Sequence, residues 1–162
     1  MPVDAATSAA LAKIWDSNFN PTAGIDTPTF PATIAALAAL GVNRYRVDFV
    51  AQTVTSYVGT EVDTYTFSHA TDAGTIKWSE TKLKQAIKKA QDKAKSGRSD
   101  YAEFEKEAIA AGVSDYTTYL DGKRVVYASV LGDLYTEPFS VVQTGAKPDA
   151  RRLREAVGMV DI

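Results

Sequence analysis

The single histidine of the chain is the residue best suited to proton transfer. His69 lies in the polar run Ser68-His69-Ala70-Thr71-Asp72. An imidazole titrates near pH ~6.5, so His69 could act as a general base if a carboxylate oriented the ring. Adjacent Ser68 does not complete a nucleophilic triad, because neighbours in sequence rarely point at each other. We expect His69 to lie on a surface loop, with catalysis by this residue as the alternative.

Two aspartates occupy matching positions in a short pattern that occurs twice. Asp63-Thr64-Tyr65-Thr66 and Asp133-Leu134-Tyr135-Thr136 share the order Asp-x-Tyr-Thr. Two carboxylates brought close together perturb each other's pKa, as acid–base catalysis requires. Asp63 and Asp133 are therefore candidate catalytic groups at a pseudo-twofold axis, with Tyr65 and Tyr135 as candidate ligand-binding groups. The alternative is structural, because aspartate before a strand is ordinary turn chemistry.

Basic residues cluster in a predicted helix and near the C-terminus. The run from Lys77 to Arg98 is rich in lysine, and it is followed at once by acidic residues. No aromatic residues alternate with the lysines as stacking platforms, so a solvated helix face is favoured over contact with nucleic acid. Near the C-terminus, Arg151 and Arg152 could bind phosphate or carboxylate in a bidentate manner. The lysines that would contact nucleic acid are Lys82, Lys84, Lys88, Lys89 and Lys93.

Tyrosines are common in the predicted strands. Those that face outward could form a ligand platform or a partner interface, because the ring buries area while its hydroxyl still forms hydrogen bonds. Cross-strand pairing that only stabilises the sheet is the alternative that we favour. The residues concerned are Tyr45, Tyr57, Tyr65, Tyr116, Tyr119, Tyr127 and Tyr135.

Length and composition exclude several classes of protein. The 162 residues are 45% hydrophobic and 23% charged, which predicts one soluble globular domain over residues 1–162. Cysteine is absent and histidine occurs once, so disulfides, thiolate chemistry and a multi-histidine metal site are excluded, and we predict no metal and no cofactor. A net charge of −2 gives no overall field for nucleic acid. Without a leader or an apolar span, the expected location is the cytoplasm.

Periodicity predicts helices and strands in alternating groups. Asp4 is a plausible cap for a first helix that runs to about Trp15, and residues 18–28 form a loop. Asp121-Gly122 between two β-prone runs predicts a two-residue hairpin. Pro148 introduces a C-terminal helical extension over 148–162, with its helix from Arg151 to about Val157. The remaining predicted helices are 32–40, 80–95 and 101–111, and the predicted strands are 44–49, 53–58, 61–67, 116–120, 124–130 and 134–139.

The predicted elements suggest an internal repeat. Placing Gly41 over Gly112 aligns residues 29–67 with 100–139, with a one-residue slip beyond the hairpin. Each copy is a helix followed by an antiparallel meander, which cannot bury its sheet face alone. The prediction is an α+β fold of two repeated units that share one core. An N-terminal helix, a central Lys-rich helix and a C-terminal helix are added to it.

The helix ends and strand starts also carry a family resemblance. Tyr101-Ala102-Glu103-Phe104, then Ala110-Ala111-Gly112-Val113-Ser114-Asp115-Tyr116, resemble the YbcV-like family of uncharacterised bacterial and prophage proteins, often labelled phage envelope protein. The first copy retains the Phe30-Pro31 helix start of that family. The resemblance spans most of residues 8–139 and implies an α+β fold and a prophage link, but no activity.

These signals favour a non-enzymatic binding module that recognises a protein or a small ligand between the two units. Two alternatives stay open: a small enzyme with its acid–base site at His69 or Asp63/Asp133, and nucleic-acid contact through the Lys-rich helix. Self-association into a homo-oligomer is a further option for partners. A membrane partner is not expected, and nucleic acid is disfavoured.

Overall fold

A computed structural model of the chain describes residues 1–22, 27–69 and 71–139. In these residues it contains four helices and one six-stranded antiparallel sheet, so the predicted α+β class is confirmed. The predicted C-terminal helix lies outside the described residues, as do Arg151 and Arg152. The elements in chain order are α1 (Ala5–Phe19), α2 (Phe30–Ala39), β1 (Val42–Asp48), β2 (Thr53–Val58), β3 (Glu61–Thr66), α3 (Glu80–Lys95), α4 (Tyr101–Ala110), β4 (Asp115–Tyr119), β5 (Arg124–Ala128) and β6 (Leu134–Pro138).

The sheet joins two three-stranded meanders side by side. Its strand order is β3-β2-β1-β4-β5-β6, so β1 and β4 form the seam and β3 and β6 form the two edges. At the seam Val47 pairs with Tyr116, and both side chains are buried. Buried residues from both meanders belong to one core cluster. The two halves therefore share a sheet and a core, while their origin from a duplication stays a prediction.

The helices pack on one face of this sheet. Tyr45 of β1 is buried against Trp15 of α1, with 4.8 Å between ring centroids, and Tyr116 of β4 meets Tyr101 of α4 through their hydroxyls, 2.5 Å apart. Residues that alternate with these, such as Arg44 and Arg46, point to the opposite face and are exposed. The sheet thus has an inner, helix-covered face and an outer face.

Side-chain caps explain where the helices begin. Asp4 accepts a hydrogen bond from the Thr7 amide, and Asp100 accepts one from the Glu103 amide. Thr29 and Ser79 cap α2 and α3 in the same way. The first helix continues to Phe19, one turn beyond the predicted end at Trp15, because Phe19 is buried in the core and extends the apolar stripe of α1.

Glycines with left-handed backbone follow α2 and α4. Gly41 has φ 84° and Gly112 has φ 90°, a conformation that glycine adopts without strain. At Gly112 the chain also runs against the backbone of Trp78, where an added Cβ would lie 2.6 Å from the Trp78 Cα. At Gly41 the nearest atom to an added Cβ would be a Val58 methyl carbon at 3.4 Å. Only the second glycine is needed for a close backbone approach.

The predicted two-residue hairpin at Asp121-Gly122 is wrong. Tyr119 pairs with Arg124, which leaves a four-residue turn over 120–123 whose positive φ of 54° falls on Lys123. The cause is Leu120, which is buried and whose amide donates to the Asn43 carbonyl of β1, so it does not pair with Lys123 as a two-residue turn would require. The turn between β1 and β2 has the same length.

The two Asp-x-Tyr-Thr segments do not occupy equivalent positions in the structure. Asp63 pairs with Ser56, whereas Tyr135 pairs with Tyr127. Ser56 and Tyr127 are the equivalent residues when Gly41 is placed over Gly112, so Asp63 corresponds to Tyr135 rather than to Asp133. A five-residue turn over 129–133 precedes β6, whereas only two residues separate β2 from β3. The slip that the sequence suggested is therefore wrong.

The N-terminal residues cover part of the β3 edge. Pro2 forms a parallel bridge with Val62, and the Val62 amide donates to the Met1 carbonyl at 2.8 Å. The Val3 amide in turn donates to the Val62 carbonyl at 3.3 Å.

Among the helices of the described residues, none is long and apolar enough to cross a membrane.

Candidate functional site

His69 is partly buried and contacts residues from two helices. Its Nδ1 lies 2.7 Å from Oε2 of Glu105 in α4, and its Nε2 lies 2.7 Å from the carbonyl oxygen of Phe19 at the end of α1. The side chain is 26% exposed. His69 thus lies in a loop and is partly exposed, but its ring also connects the segment after β3 to two helices.

Gln52 places the backbone around His69. This residue has φ 57° in the turn between β1 and β2. Its carbonyl accepts from the Phe67 amide at 3.0 Å, and its side-chain oxygen accepts from the His69 amide at 2.7 Å. Phe67 then stacks on Phe19, with centroids 4.4 Å apart, and packs beside the imidazole. The ring is therefore fixed by both its backbone and its neighbours.

Both ring nitrogens of His69 are occupied by oxygen partners. The Phe19 carbonyl can only accept, so Nε2 carries a hydrogen, and Nδ1 forms its hydrogen bond with the Glu105 carboxyl. A general base needs a nitrogen lone pair aimed at its substrate. In this arrangement His69 presents none, so its geometry suits a link between elements better than proton transfer to a ligand.

Glu105 is the partner that the sequence reasoning missed. It is buried, and its Oε1 atom has no hydrogen-bond partner within the described residues. Burial raises the pKa of Glu105, although the hydrogen bond and the charge of His69 act in the opposite direction. A signal for it exists in the sequence: Tyr101, Glu105 and Ile109 recur every four residues, which puts a carboxylate on the inward stripe of α4.

The proposed Asp63/Asp133 dyad does not exist. Asp63 lies in β3 and Asp133 just before β6, so five strand spacings of about 4.8 Å, or roughly 24 Å in all, separate them. Asp63 accepts a hydrogen bond from the Ser8 hydroxyl, and Asp133 accepts one from the Ser129 hydroxyl, both at 2.6 Å. Each carboxylate has a local structural partner, and the pair is excluded as one catalytic centre.

Tyr65 and Tyr135 also lie at opposite edges of the sheet. Tyr65 donates to Asp16 at 2.6 Å, while its hydroxyl oxygen accepts from Asn20 at 2.7 Å. Tyr135 donates to Glu137 at 2.6 Å. Burial, followed by the Asp16 hydrogen bond, raises the pKa of Tyr65 to about 12, and the Glu137 hydrogen bond, followed by burial, raises that of Tyr135 to about 12. The two phenols form no common ligand site.

Carboxylates neutralise much of the Lys-rich helix. Lys89 bridges Glu103 and Glu107 of α4 at 2.6 and 2.8 Å, and Lys93 also pairs with Glu103. These two lysines lower the pKa of Glu103 to about 2. Lys84 and Lys88 form ion pairs within α3, and Lys82 has no carboxylate within 4.0 Å in the described chain. This face therefore offers phosphates little uncompensated charge.

The outer face of the sheet carries a row of alternating aromatic and basic residues, which we call the outer row. The strand register places Arg44 directly between Tyr57 and Tyr119, and Tyr119 directly opposite Arg124. The Arg44 guanidinium lies 3.7 Å from the centroid of the Tyr57 ring. The outward-facing tyrosines that the sequence suggested as a platform are thus Tyr57 and Tyr119.

An apolar surface lies at the end of the sheet where the two halves meet. Val50 of the first half and Val130 of the second both lie next to Gly74. A cleft of about 230 Å³ adjoins them, with Lys77 and Asp133 among its lining residues. Leu131 is one of the residues that line this cleft, and it is 90% exposed. We call this surface the apolar end; it consists of Val50, Ile76, Trp78, Val130 and Leu131.

By its fold the chain is an α+β protein with one antiparallel sheet and helices on the inner face of that sheet. In the part of the chain described, no group of three or more His, Asp or Glu residues is placed to hold a metal ion. Residues 26–138 match the family described as Protein of unknown function (DUF1398), and the chain belongs to this family. The match carries neither the YbcV-like name nor the phage envelope label. A search of curated proteins finds no match.

Proposed function

We propose that the protein is a non-enzymatic interaction module that binds protein through the apolar end. The observation that carries this proposal is Leu131, a large apolar side chain that is 90% exposed and lines a cleft together with Ile76, Trp78 and Val130. Contiguous exposed apolar surface rimmed by polar residues is typical of protein interaction sites. The position of this surface, with Val50 and Val130 contributed by different halves, agrees with recognition between the two units.

The occupant that we propose is a second copy of this chain. Leu131 protrudes at the rim of the cleft, and the cleft volume of about 230 Å³ gives room for one large apolar side chain. A twofold arrangement would place Leu131 of each copy in the cleft of the other. Lys77 and Asp133, which have opposite charges, line the same cleft. In such a dimer each lysine can face the aspartate of the partner copy, so the surface is complementary to itself.

Sedimentation equilibrium across a range of protein concentrations tests this proposal. We expect the wild type to form a concentration-dependent dimer and Leu131→Asp to stay monomeric, since a buried unpaired carboxylate opposes association. Leu134→Asp is the matched control, because Leu134 is 63% exposed in β6 but does not line the cleft. It should dimerise like the wild type. A monomeric wild type, or a dimer that Leu131→Asp leaves intact, would overturn the proposal.

Substitution at the rim of the cleft gives a second test. Lys77→Glu should weaken the dimer, and the weakening should be smaller at high salt because exposed charges are screened. If the Lys77→Glu variant dimerises at low salt with the same affinity as the wild type, the proposed orientation of the two copies is contradicted.

A prophage link and a cytoplasmic location complete the proposal. The support for the first is the resemblance of residues 8–139 to the YbcV-like proteins. Fractionation of host cells would test the location, and recovery of the protein with the membrane or outside the cell would contradict it.

A further inference from the structure

We propose that the outer face of the sheet binds single-stranded nucleic acid, with a base stacked on Tyr119 and the flanking phosphates held by Arg44 and Arg124. This surface is separate from the apolar end and from the Lys-rich helix. Its elements are three adjacent strands, β1, β4 and β5, which present one aromatic ring between two guanidinium groups.

The register determines the spacing of this site. Directly opposite residues on neighbouring antiparallel strands have Cβ atoms about 4.5–5.5 Å apart. Tyr119 is opposite Arg44 on one side and Arg124 on the other, and its side chain is partly open to solvent, at 38% exposure. Ring faces stack with any base, and guanidinium groups bind phosphate oxygens in a bidentate manner. One nucleotide unit therefore finds both kinds of contact within three strands.

The charges on the outer face distinguish these arginines from their neighbour. Arg46 lies between Asp48 and Asp115, at 3.5 and 3.3 Å, so its charge is compensated. Among the described residues, neither Arg44 nor Arg124 has a carboxylate within 4.0 Å. Arg44 is stacked on Tyr57, and the Nε of Arg124 donates to the Gly122 carbonyl at 3.2 Å. Both side chains are therefore oriented while their charges remain available to an anion.

The shape of the surface favours a polymer over a small molecule. Small ligands bind in concave sites that enclose most of their area, whereas the outer row lies on an open sheet face. A single strand can lay unpaired bases on such a face, and a duplex cannot, because its bases are already stacked on each other. Only two arginines carry uncompensated charge here, so we expect weak binding that depends on salt.

Fluorescence anisotropy with a labelled single-stranded oligothymidylate tests the proposal at low and at physiological salt. We expect binding that Tyr119→Ala weakens roughly tenfold and that Tyr119→Trp retains, since the larger ring stacks equally well. Arg124→Gln should weaken binding and lower the slope of log affinity against log salt by about 0.7, the value for one lost phosphate contact on a single strand. The Trp variant also shows that the site, not the fold, was lost in Tyr119→Ala.

Matched controls locate the binding surface. Arg46→Gln removes a compensated arginine from the same face, and Lys82→Gln removes a lysine from α3; both should leave the affinity within about twofold. A flat titration at low salt would overturn the proposal. So would binding that Lys82→Gln abolishes while Tyr119→Ala leaves it intact. Equal competition by free thymidine monophosphate at matched nucleotide concentration would assign the site to a small ligand and overturn the polymer as its occupant.

Discussion

The two halves of the molecule have the same order of elements but different chemistry at equivalent positions. Seven residues before the glycine that ends each helix, the first half has Ile34 and the second half has Glu105, and both are buried. The glycines differ as well, because Gly112 touches the Trp78 backbone and Gly41 does not. The comparison shows that the shared topology accepts either an apolar side chain or a partnered carboxyl at this buried position. The second half therefore carries additional constraints that link it to the rest of the chain.

The largest effect that we expect comes from the two glycines. Gly112→Ala should destabilise the protein by about 4 kcal/mol, because left-handed strain and a clash with backbone act together. Gly41→Ala should cost about 1–2 kcal/mol from the backbone conformation alone. Urea unfolding of both variants measures the difference. Equal losses in the two variants would show that the contact with Trp78 relaxes without cost and that the halves are equivalent here.

A second prediction concerns the His69–Glu105 link. His69→Ala leaves a buried carboxyl group without its partner, and we expect a loss of about 2 kcal/mol, less than for a fully buried pair because the imidazole is partly exposed. Replacing Glu105 with Ile and His69 with Leu together makes the second half resemble the first. This double variant should recover most of the loss, and a double-mutant cycle of Glu105→Ile, His69→Leu and the double variant in urea unfolding measures the coupling. Additive losses would mean that the two side chains act independently.

The pH dependence of His69→Ala has a definite sign. Burial raises the pKa of Glu105, and without His69 nothing nearby opposes that rise. A carboxyl whose folded pKa exceeds its unfolded pKa, about 4.3, stabilises the fold below that value and loses this contribution as pH increases through the folded pKa. The variant should therefore be less stable, relative to wild type, at pH 7 than at pH 4. The opposite trend would contradict the burial of an unpaired carboxyl.

The smallest effect on stability should come from the ion pairs between α3 and α4. The first half has no counterpart to these pairs, because α2 contains no charged residue. Lys89 and Lys93 lower the pKa of the partly exposed Glu103 to about 2. A lowered pKa adds stability above the unfolded value of about 4.3 that is lost as pH falls towards 2. Glu103→Gln should flatten this acid limb in urea unfolding from pH 5 to 2. High salt should give the wild type the same flattening, and an unchanged limb would contradict the prediction.

Local signals in the sequence predicted the fold well. The cap at Asp4 and the helical and strand periodicities are short-range features, so element types and most boundaries followed from them. The length of the β4–β5 turn did not, because it depends on burial of Leu120 against a distant strand. Turn chemistry at Asp121-Gly122 was overridden by tertiary packing.

The candidate sites were harder to predict, because they depend on strand order and register. The Asp-x-Tyr-Thr echo suggested proximity, yet β3 and β6 became opposite edges once β1 paired with β4. Glu105, the partner of His69, is 36 residues away on α4, so no local pattern around His69 reveals it. The outer row needs the alignment of four strands, so no single segment reveals that Arg44, Tyr119 and Arg124 lie side by side.

The pairing of the first three residues with Val62 has a consequence for handling the protein. Trimming them would free the amide and carbonyl groups of Val62 at a sheet edge, and such an edge is a template on which another chain can add a strand. A preparation clipped by an aminopeptidase should consequently scatter more light during storage than intact material, at temperatures where its circular dichroism is still unchanged.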